Sequence, residues 1–561
     1  MTFASIGARM KVQKVRMVLV VAPTSVLGYW EDEMKKYLPK FSNKVRIEVI
    51  HGQQAKDRVK IIRNVWRNAS FDEPRVIVTS WGLVTRPQSF KAFLSPSKRN
   101  WDYGIMDEAH VTKNHKSNSS KCCRRVFHKK GTKRLLLTGT PFQNNTNELW
   151  SIMHMATQGQ VLGKLKDFNK LYGTPIRNAR CRNASQYDIK KGKKANDELQ
   201  ETLKPYVLRR RKIDFLTNEL PTKHEVCVWV KPSKDQVVLY KNKVDANIAL
   251  AKNILSSDRA LAKSSMMCAF QVMADLRKIC SHPLRYLEDS MEEKELHSII
   301  RGSKKLELSI QMLKAFKQDG HKTLLFSQST QNLDIIQYVL LKLGSFKVCR
   351  LDGSVSAKKR HDMVECFQNG MFDVFLISTG AGGTGLTLTR ASRVILYDPS
   401  WNPSSDAQAV DRAYRIGQAK EVWVYRMYVG NSIEEKMYAK QIHKAGMEKT
   451  IFTKGSNAEE RFFDKKELCK VFEQIPDGKT CEILDRFNWA QFGEDNHPNL
   501  QLVVKHPCVI GATNHTTVYS QKRKSAFSEA QNSSIDAKRL RLDHTVEESA
   551  RVVSDSGEND L

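Results

Sequence analysis

YGIMDEAH, residues 103–110, is a short apolar run that ends abruptly in two adjacent carboxylates, Asp107 and Glu108, with His110 two positions on. Tyr103–Met106 has the composition of a buried strand, and the charged pair stands where that strand must leave the sheet. Runs of the same kind lie on both sides of it: RMVLVVAP (16–23), VRIEVI (45–50), RVIVTS (75–80) and KRLLLTGT (133–140). A second set follows: KTLLFSQ (322–328), KVCRLDG (347–353), DVFLIST (373–379), RVILYDP (393–399) and EVWVYRMYV (421–429). Continuous apolar strands separated by helical patterns predict parallel sheets covered on both faces. Two sets predict two α/β lobes. The polar and glycine residues gather at the downstream ends of these strands, as Pro23-Thr24-Ser25, Asp107-Glu108, Thr138-Gly139-Thr140 and Thr379-Gly380 show. Open α/β sheets place their ligands there.

The spans expected from this pattern are a first lobe over 1–152, a basic helical insertion over 153–300, a second lobe over 301–452 and a C-terminal extension over 453–561. KPYVLRRRKIDF (204–215) and the stretch from Gln236 to Ser281 show no strand alternation. The extension is expected to be partly disordered. Its QKRK and AKRLRL clusters within 521–542 suit a nuclear import signal, with a solvated tail as the alternative.

The chain has 92 Lys and Arg against 60 Asp and Glu, a formal charge of +32 over 561 residues. A surplus of that size points to a polyanion, most simply nucleic acid; a ribosomal or membrane-surface protein is the alternative on charge alone. The eleven cysteines form no CxxC pair, so neither a zinc site nor a disulfide framework is signalled. No apolar run is long enough to span a bilayer, and no membrane partner is expected.

The chemistry sits in four places. Transfer of a phosphoryl group to water needs a metal near the terminal phosphates and a group that orients the water. Asp107 can take the metal and Glu108 the water; a solvated strand end is the alternative. In LLLTGTPFQN (135–144), the hydroxyls of Thr138 and Thr140 and the amide of Gln143 could sense phosphate, or simply form a turn. STGAGGTGLTLT (378–389) carries Gly380, Gly382, Gly383 and Gly385, which permit close backbone approach to a phosphate or a partner loop. In DPSWNPSSDAQAVDRAYRIGQ (398–418), Arg412 and Arg415 are three apart and would share one face of a helix. Two guanidiniums so placed can stabilise charge on a transferring phosphoryl group.

The ordered series VAPTSVLGYW, VIVTSWGLV, DEAH, LLLTGTPFQNN, LRRRK, LRKICSHP, LLFSQ, LDGSVSAKKR, STGAGGTGLTLT, SWNP and QAVDRAYRIGQ resembles the Swi/Snf-type ATPases of helicase superfamily two. QGQVLGKLKDFNKLYGTPI and the segment around SWNP are similar to the excision-repair branch. The resemblance implies two RecA-like lobes, ATP and Mg²⁺ as cofactors, and translocation along double-stranded DNA, with chromatin as a further partner and the nucleus as location. It also implies roles. Asp107, Glu108 and His110 join Arg412 and Arg415 as catalytic residues, with Asp107 on the metal. Gln143, Gly383, Gly385 and Gln418 fall to the nucleotide. Pro23, Thr24, Thr79, Ser327, Asp352, Gly353, Thr379 and Trp401 fall to the DNA groove or its supports. An RNA helicase of the DEAH type would share residues 107–110 but usually carries Ser-Ala-Thr where this chain has Thr138-Gly139-Thr140.

One part of the pattern is absent. No G-x-x-x-x-G-K-[ST] loop occurs in the chain, and GKTC (478–481) has no strand before it. Thr2–Met10 reads as the helix that follows such a loop, which would make Met1 an internal methionine and the first lobe incomplete. Two expectations follow: a chain that hydrolyses ATP poorly by itself, or a short form that binds DNA or protein without hydrolysis.

Overall fold

In a computed structural model, β1 (Met17–Ala22) is buried at all six positions. The reason is visible in its partners. Met17, Leu19 and Val21 pack into one apolar cluster and Val18, Val20 and Ala22 into another, on opposite faces of the sheet. A strand's side chains alternate, so a run with no polar residue must be covered twice. β2 (Arg46–Ile50), β3 (Arg75–Ser80), β4 (Tyr103–Met106) and β5 (Lys133–Leu136) complete a parallel sheet in the order β2-β3-β1-β4-β5. Helices Leu27–Tyr37, Ala55–Asn68 and Asn118–Phe127 are among those that cover it.

The second sheet holds β6 (Lys223–Val230), β7 (Lys322–Ser327), β8 (Val348–Leu351), β9 (Val374–Ser378), β10 (Ala391–Leu396), β11 (Val422–Val429) and β12 (Val509–Asn514). Its order is β12-β6-β11-β10-β7-β9-β8, parallel except where β12 runs against β6. The same two-sided logic holds. Leu324 and Phe326 of β7 face one cluster, and Leu325 faces the other. The structure describes residues 2–452 apart from 13, 42, 87–90, 95–99, 130, 140–145, 180–183, 211, 217–218, 255–258, 288–290, 293 and 383–384, and beyond them 476, 481, 483–484 and 498–515.

The α/β reading with two lobes of parallel sheet stands, but two elements depart from the expected spans. β6 lies inside the segment read as a helical insertion, yet pairs with β11 along its whole length in the second sheet. KHEVCVWV opens with polar residues and is isolated from other strands in sequence, and the basic helices around it masked its apolar core. β12 falls in the extension and closes the far edge of the same sheet on β6. Residues 521–542, with both basic clusters, lie outside the described residues. No helix among the described residues is long and apolar enough to cross a membrane.

Helices Lys234–Asp245 and Arg259–Ser281 pack together through Tyr240, Val244, Val272 and Leu276. Ser233 and Gln236 form a capping box at the start of the first, and the Gln236 amide donates to Ile279 O and Cys280 O of the second. Helix Gln186–Leu203 crosses Thr174–Asn178 so closely that a Cβ on Gly192 would overlap Ala179.

Candidate active site

Parallel pairing aligns the strand ends that the sequence marks. Ala22 is opposite Ser80, Val21 opposite Met106, and Met106 opposite Leu136, so Pro23, Thr24, Asp107 and Thr138 emerge along one edge. Asp107 continues the register, its amide donating to Val21 O at 2.9 Å.

Its side chain is held at both oxygens. The Trp30 indole N–H donates to Oδ2 at 2.9 Å, and the Glu108 amide donates to Oδ1 at 2.9 Å. A second indole, Trp81, donates to the Asp107 carbonyl at 3.0 Å. Burial raises the Asp107 carboxyl above the ordinary range, and the neighbouring Glu108 charge adds to it, against the hydrogen bond from Trp30. Among the described residues no Lys or Arg pairs with it. A half-buried carboxylate with hard oxygen donors and no cation suits Mg²⁺.

The chain turns sharply after Asp107, with Glu108 in the left-handed region at φ 49°, ψ 48°. The turn aims the Glu108 carboxylate at His110, whose Nδ1 lies 3.1 Å from Oε2. His110 Nδ1 also approaches Thr138 Oγ1 at 3.5 Å, which brings the acidic segment to the chain just after β5.

The second lobe approaches this edge at Gly385, which lies against Val26 and whose carbonyl Arg415 holds. Arg412 is only 7% exposed. Burial and the adjacent Arg415 hold it below the usual guanidinium range, while Asp411 and, from the other lobe, Glu108 pull it back. Its Nη1 donates to Leu386 O at 3.4 Å. Arg415 Nη1 reaches Gly385 O at 3.2 Å, Leu386 O at 3.2 Å and Thr387 Oγ1 at 3.0 Å. The expected shared helical face is corrected here. The helix Pro403–Val410 ends before either arginine, and both sit in the turns that follow. Lys212 binds the head of that turn through Asp411 Oδ1 at 2.6 Å and Tyr414 O at 2.9 Å.

The remaining expected residues divide. Gly385 sits against the first lobe, where a Cβ would overlap Val26. Gln418 differs from its expected part. Its amide donates to Ala391 O and Ala413 O and accepts from Lys420 N, so its polar atoms serve the backbone. Gln143 and Gly383 lie outside the described residues, as does Thr140. Thr24 and Gly353 are exposed and Pro23 half-buried at strand ends. Thr79 and Ser327 lie beneath the surface, where they can act as supports and not as contacts. Thr79 Oγ1 donates to Ile50 O at 3.1 Å, and Ser327 Oγ accepts from Ser329 N and Asn332 Nδ2. Asp352 accepts from Ser354 and from Arg350 Nε, which together keep its carboxyl below the usual range. Thr379, itself buried, heads the short helix Thr379–Gly382 after β9. Trp401 is half-buried against the cluster of Tyr240, Ile433 and Met437. The two indoles on Asp107 were not foreseen. Both belong to quoted segments, VAPTSVLGYW and VIVTSWGLV, but nothing local marks Trp30 as a partner of a carboxylate 77 positions on, or Trp81 as a partner of a carbonyl 26 positions on.

Comparison with known proteins places the chain in a family. Residues 1–285 match the model of the SNF2-related domain, and residues 304–417 match the helicase conserved C-terminal domain. The chain is 32% identical to the DNA excision repair protein ERCC-6-like of Bos taurus, over 90% of its length and 43% of that protein. It is 31% identical to DNA excision repair protein ERCC-6 of Homo sapiens, over 83% of this chain and 30% of the relative. For the DNA repair and recombination protein RAD26 of Saccharomyces cerevisiae the figures are 31%, 81% and 44%. The chain therefore spans less than half the length of these curated relatives. The SWI2/SNF2 ATPase core of Sulfolobus solfataricus in complex with dsDNA is 28% identical, covers 84% of this chain and 90% of its own, and has a TM-score of 0.36. With the first family match running over more than half of its residues, the chain belongs to the SNF2-related, helicase-like ATPases.

Proposed function

We propose that this chain is the motor region of an ATP-dependent translocase on double-stranded DNA, acting in repair, chromatin remodelling or chromosome maintenance in the nucleus. The observation that carries the proposal is the seat of Gly385, whose carbonyl Arg415 holds, against Val26 of the first lobe, close to the strand ends from which Asp107 and Glu108 emerge. Superfamily motors need carboxylates on one side of the transferring phosphoryl group and arginines on the other. MgATP, when bound, supplies that group. Asp107 offers a hard carboxylate for the metal, already steadied by two N–H donors. Glu108 orients the attacking water and accepts its proton, and His110 limits its rotation. Arg412 neutralises charge that develops in the transition state, and Arg415 fixes the loop Gly385–Thr387 beside it. Thr24, Gly353 and Trp401, supported by Thr79, Ser327, Asp352 and Thr379, follow the DNA backbone. The charge of +32 favours such phosphate tracking over base reading.

The spans that support this are a first lobe over 1–152, a helical segment from 153 to the start of β6, and a second lobe from β6 to 452 that also recruits β12. The absence of a G-x-x-x-x-G-K-[ST] loop from the 561 residues supports poor ATP turnover by this chain alone.

Fluorescence anisotropy with labelled duplexes of two unrelated sequences, across a salt series, tests the DNA part. Both duplexes are expected to bind alike and to weaken steeply with salt, with the log–log slope set by the phosphates contacted. Phosphate-release assays on the same samples are expected to show slow turnover. Absence of duplex binding overturns the translocase reading, and DNA-stimulated turnover at about 1 s⁻¹ or faster overturns the claim of poor hydrolysis.

A further inference from the structure

We propose that Trp30 is a positioning residue through which closure of the second lobe onto the first sets the Asp107 carboxylate. Three contacts in sequence form the relay. Arg415 Nη1 holds the carbonyl of Gly385. Gly385, at φ +65°, lies so close to Val26 that an added Cβ would overlap the valine side chain. Val26 ends the turn Thr24–Val26 and caps the helix Leu27–Tyr37. Trp30 is one helical turn further on and so lies on the same face as Val26. Its indole, 7% exposed, then donates to Asp107 Oδ2 at 2.9 Å.

A helix moves as a rigid rod over one turn, so displacement of Val26 is passed to the indole. A hydrogen bond weakens steeply as its angle and length depart from the optimum, so the carboxylate feels that displacement. The main chain of Asp107 does not follow, because Trp81 holds its carbonyl at 3.0 Å and Val21 O holds its amide. The side chain alone is left adjustable. On its far side the Trp30 ring meets Phe3 edge-on, at 5.4 Å between centroids, which keeps the indole from swinging away. The relay gives the second lobe a mechanical hold on the metal carboxylate, separate from the direct field between Glu108 and Arg412. Its significance rests on the reading of Asp107 as the metal ligand; its existence does not.

The test is a ¹⁵N-indole NMR comparison of the full chain without ligands. The Trp30 resonance is identified by its loss in Trp30→Phe. In Gly385→Ala the Trp30 resonance is expected to move by more than its linewidth. The Trp101 indole, which donates to Phe93 O in the core, serves as the fixed reference. Val26→Ala combined with Gly385→Ala is expected to return it, since Val26 Cβ would then stand 3.3 Å from the new methyl group while the strained φ at position 385 persists. Val26→Ala alone loosens the seat and is expected to shift the same resonance even if Gly385→Ala does not fold. A Trp30 resonance that stays in place in folded Gly385→Ala, or in Val26→Ala, overturns the relay. Duplex binding by anisotropy is read on the same wild-type sample, and its failure would remove the translocase reading while leaving the relay result intact.

Discussion

At Glu108 the backbone is bent into the left-handed region, φ 49° and ψ 48°, where a Cβ crowds the carbonyl oxygen that follows it. The strain is about 1–2 kcal/mol for a residue other than glycine. Its return is orientation, since the bend carries the carboxylate away from the strand direction and onto His110. Substitution separates the two effects. Glu108→Ala and Glu108→Gly both remove the carboxylate and its partly exposed pair with His110, which is worth at most about 1 kcal/mol. Only glycine relieves the bend. Glu108→Gly is therefore expected to be the more stable of the two by about 1 kcal/mol, although glycine is ordinarily the less stable residue by roughly 0.5–1 kcal/mol. Urea unfolding of both variants, followed by tryptophan fluorescence, checks the order. An alanine variant as stable as the glycine one would mean that the turn relaxes without glycine and stores no strain.

Between elements, Asp373 just ahead of β9 gathers three neighbours of the second sheet. Its carboxylate pairs with Lys317, from the helix Lys304–Gln318, at 2.8 Å and with Lys322 of β7 at 2.9 Å, and it accepts the Lys347 amide ahead of β8 at 3.1 Å. Burial alone would raise its carboxyl, but the hydrogen bonds from the two lysines outweigh that and bring it down from 3.8 to about 2. In the unfolded chain it protonates near 3.8, so the unfolded state binds the proton first as pH falls. The contribution of Asp373 is accordingly whole at neutral pH and drains away between about 4 and about 2. Asp373→Asn is expected to cost about 1–3 kcal/mol at pH 7 and progressively less toward pH 2, as read from denaturant midpoints across the range. A loss that does not shrink with acid would assign the effect to packing. Elements such as β7 and β9 were legible because an unbroken apolar run must be covered on both faces. β6 was not, since KHEVCVWV opens with polar residues and its partner β11 lies almost two hundred residues on. β12 was missed for the same reason, being defined by the edge of β6 more than by VIGATN itself. The acidic pair and the arginines were found from residue type and order. Their geometry, including the turn that carries Arg412 and Arg415 and the indoles behind Asp107, is fixed by contacts between distant segments that no local pattern encodes.

Across the whole molecule the two lobes keep separate cores. The clusters around β1 on the first sheet draw their buried residues from Ile6 to Met155, and those around β7 and β10 on the second from Val226 onward. Among the described residues, what joins the lobes at the site is the seat of Gly385 on Val26, and further out the helical segment reaches the second lobe through Lys212 on Asp411 and Tyr414. The cores are also unequal. In the first sheet both edges are weakly covered, with Leu135 and Leu136 of β5 only half-buried and β2 fully buried at Ile50 alone. Interior strands are buried at every position in both sheets, β1, β3 and β4 in the first and β9, β10 and β11 in the second. The difference therefore lies at the edges: the second sheet keeps Cys349 and Leu351 of β8 buried at one edge and is closed at the other by β12 on β6. Domains coupled by a small interface unfold as separate cooperative units. Two transitions are therefore expected on heating, the first belonging to the lobe built on β1–β5. Hydrogen exchange is expected to follow the same order, with β5 and β2 amides exchanging at lower opening free energy than those of β10 and β7. Each lobe has its own tryptophans, Trp66 and Trp101 in the first and Trp229 and Trp423 in the second, all buried, so single-tryptophan variants can assign each transition. Coincident transitions from both sets of probes would show that the contacts at the cleft bind the lobes into one unit, and would make lobe closure a property of the resting chain and not of its ligands.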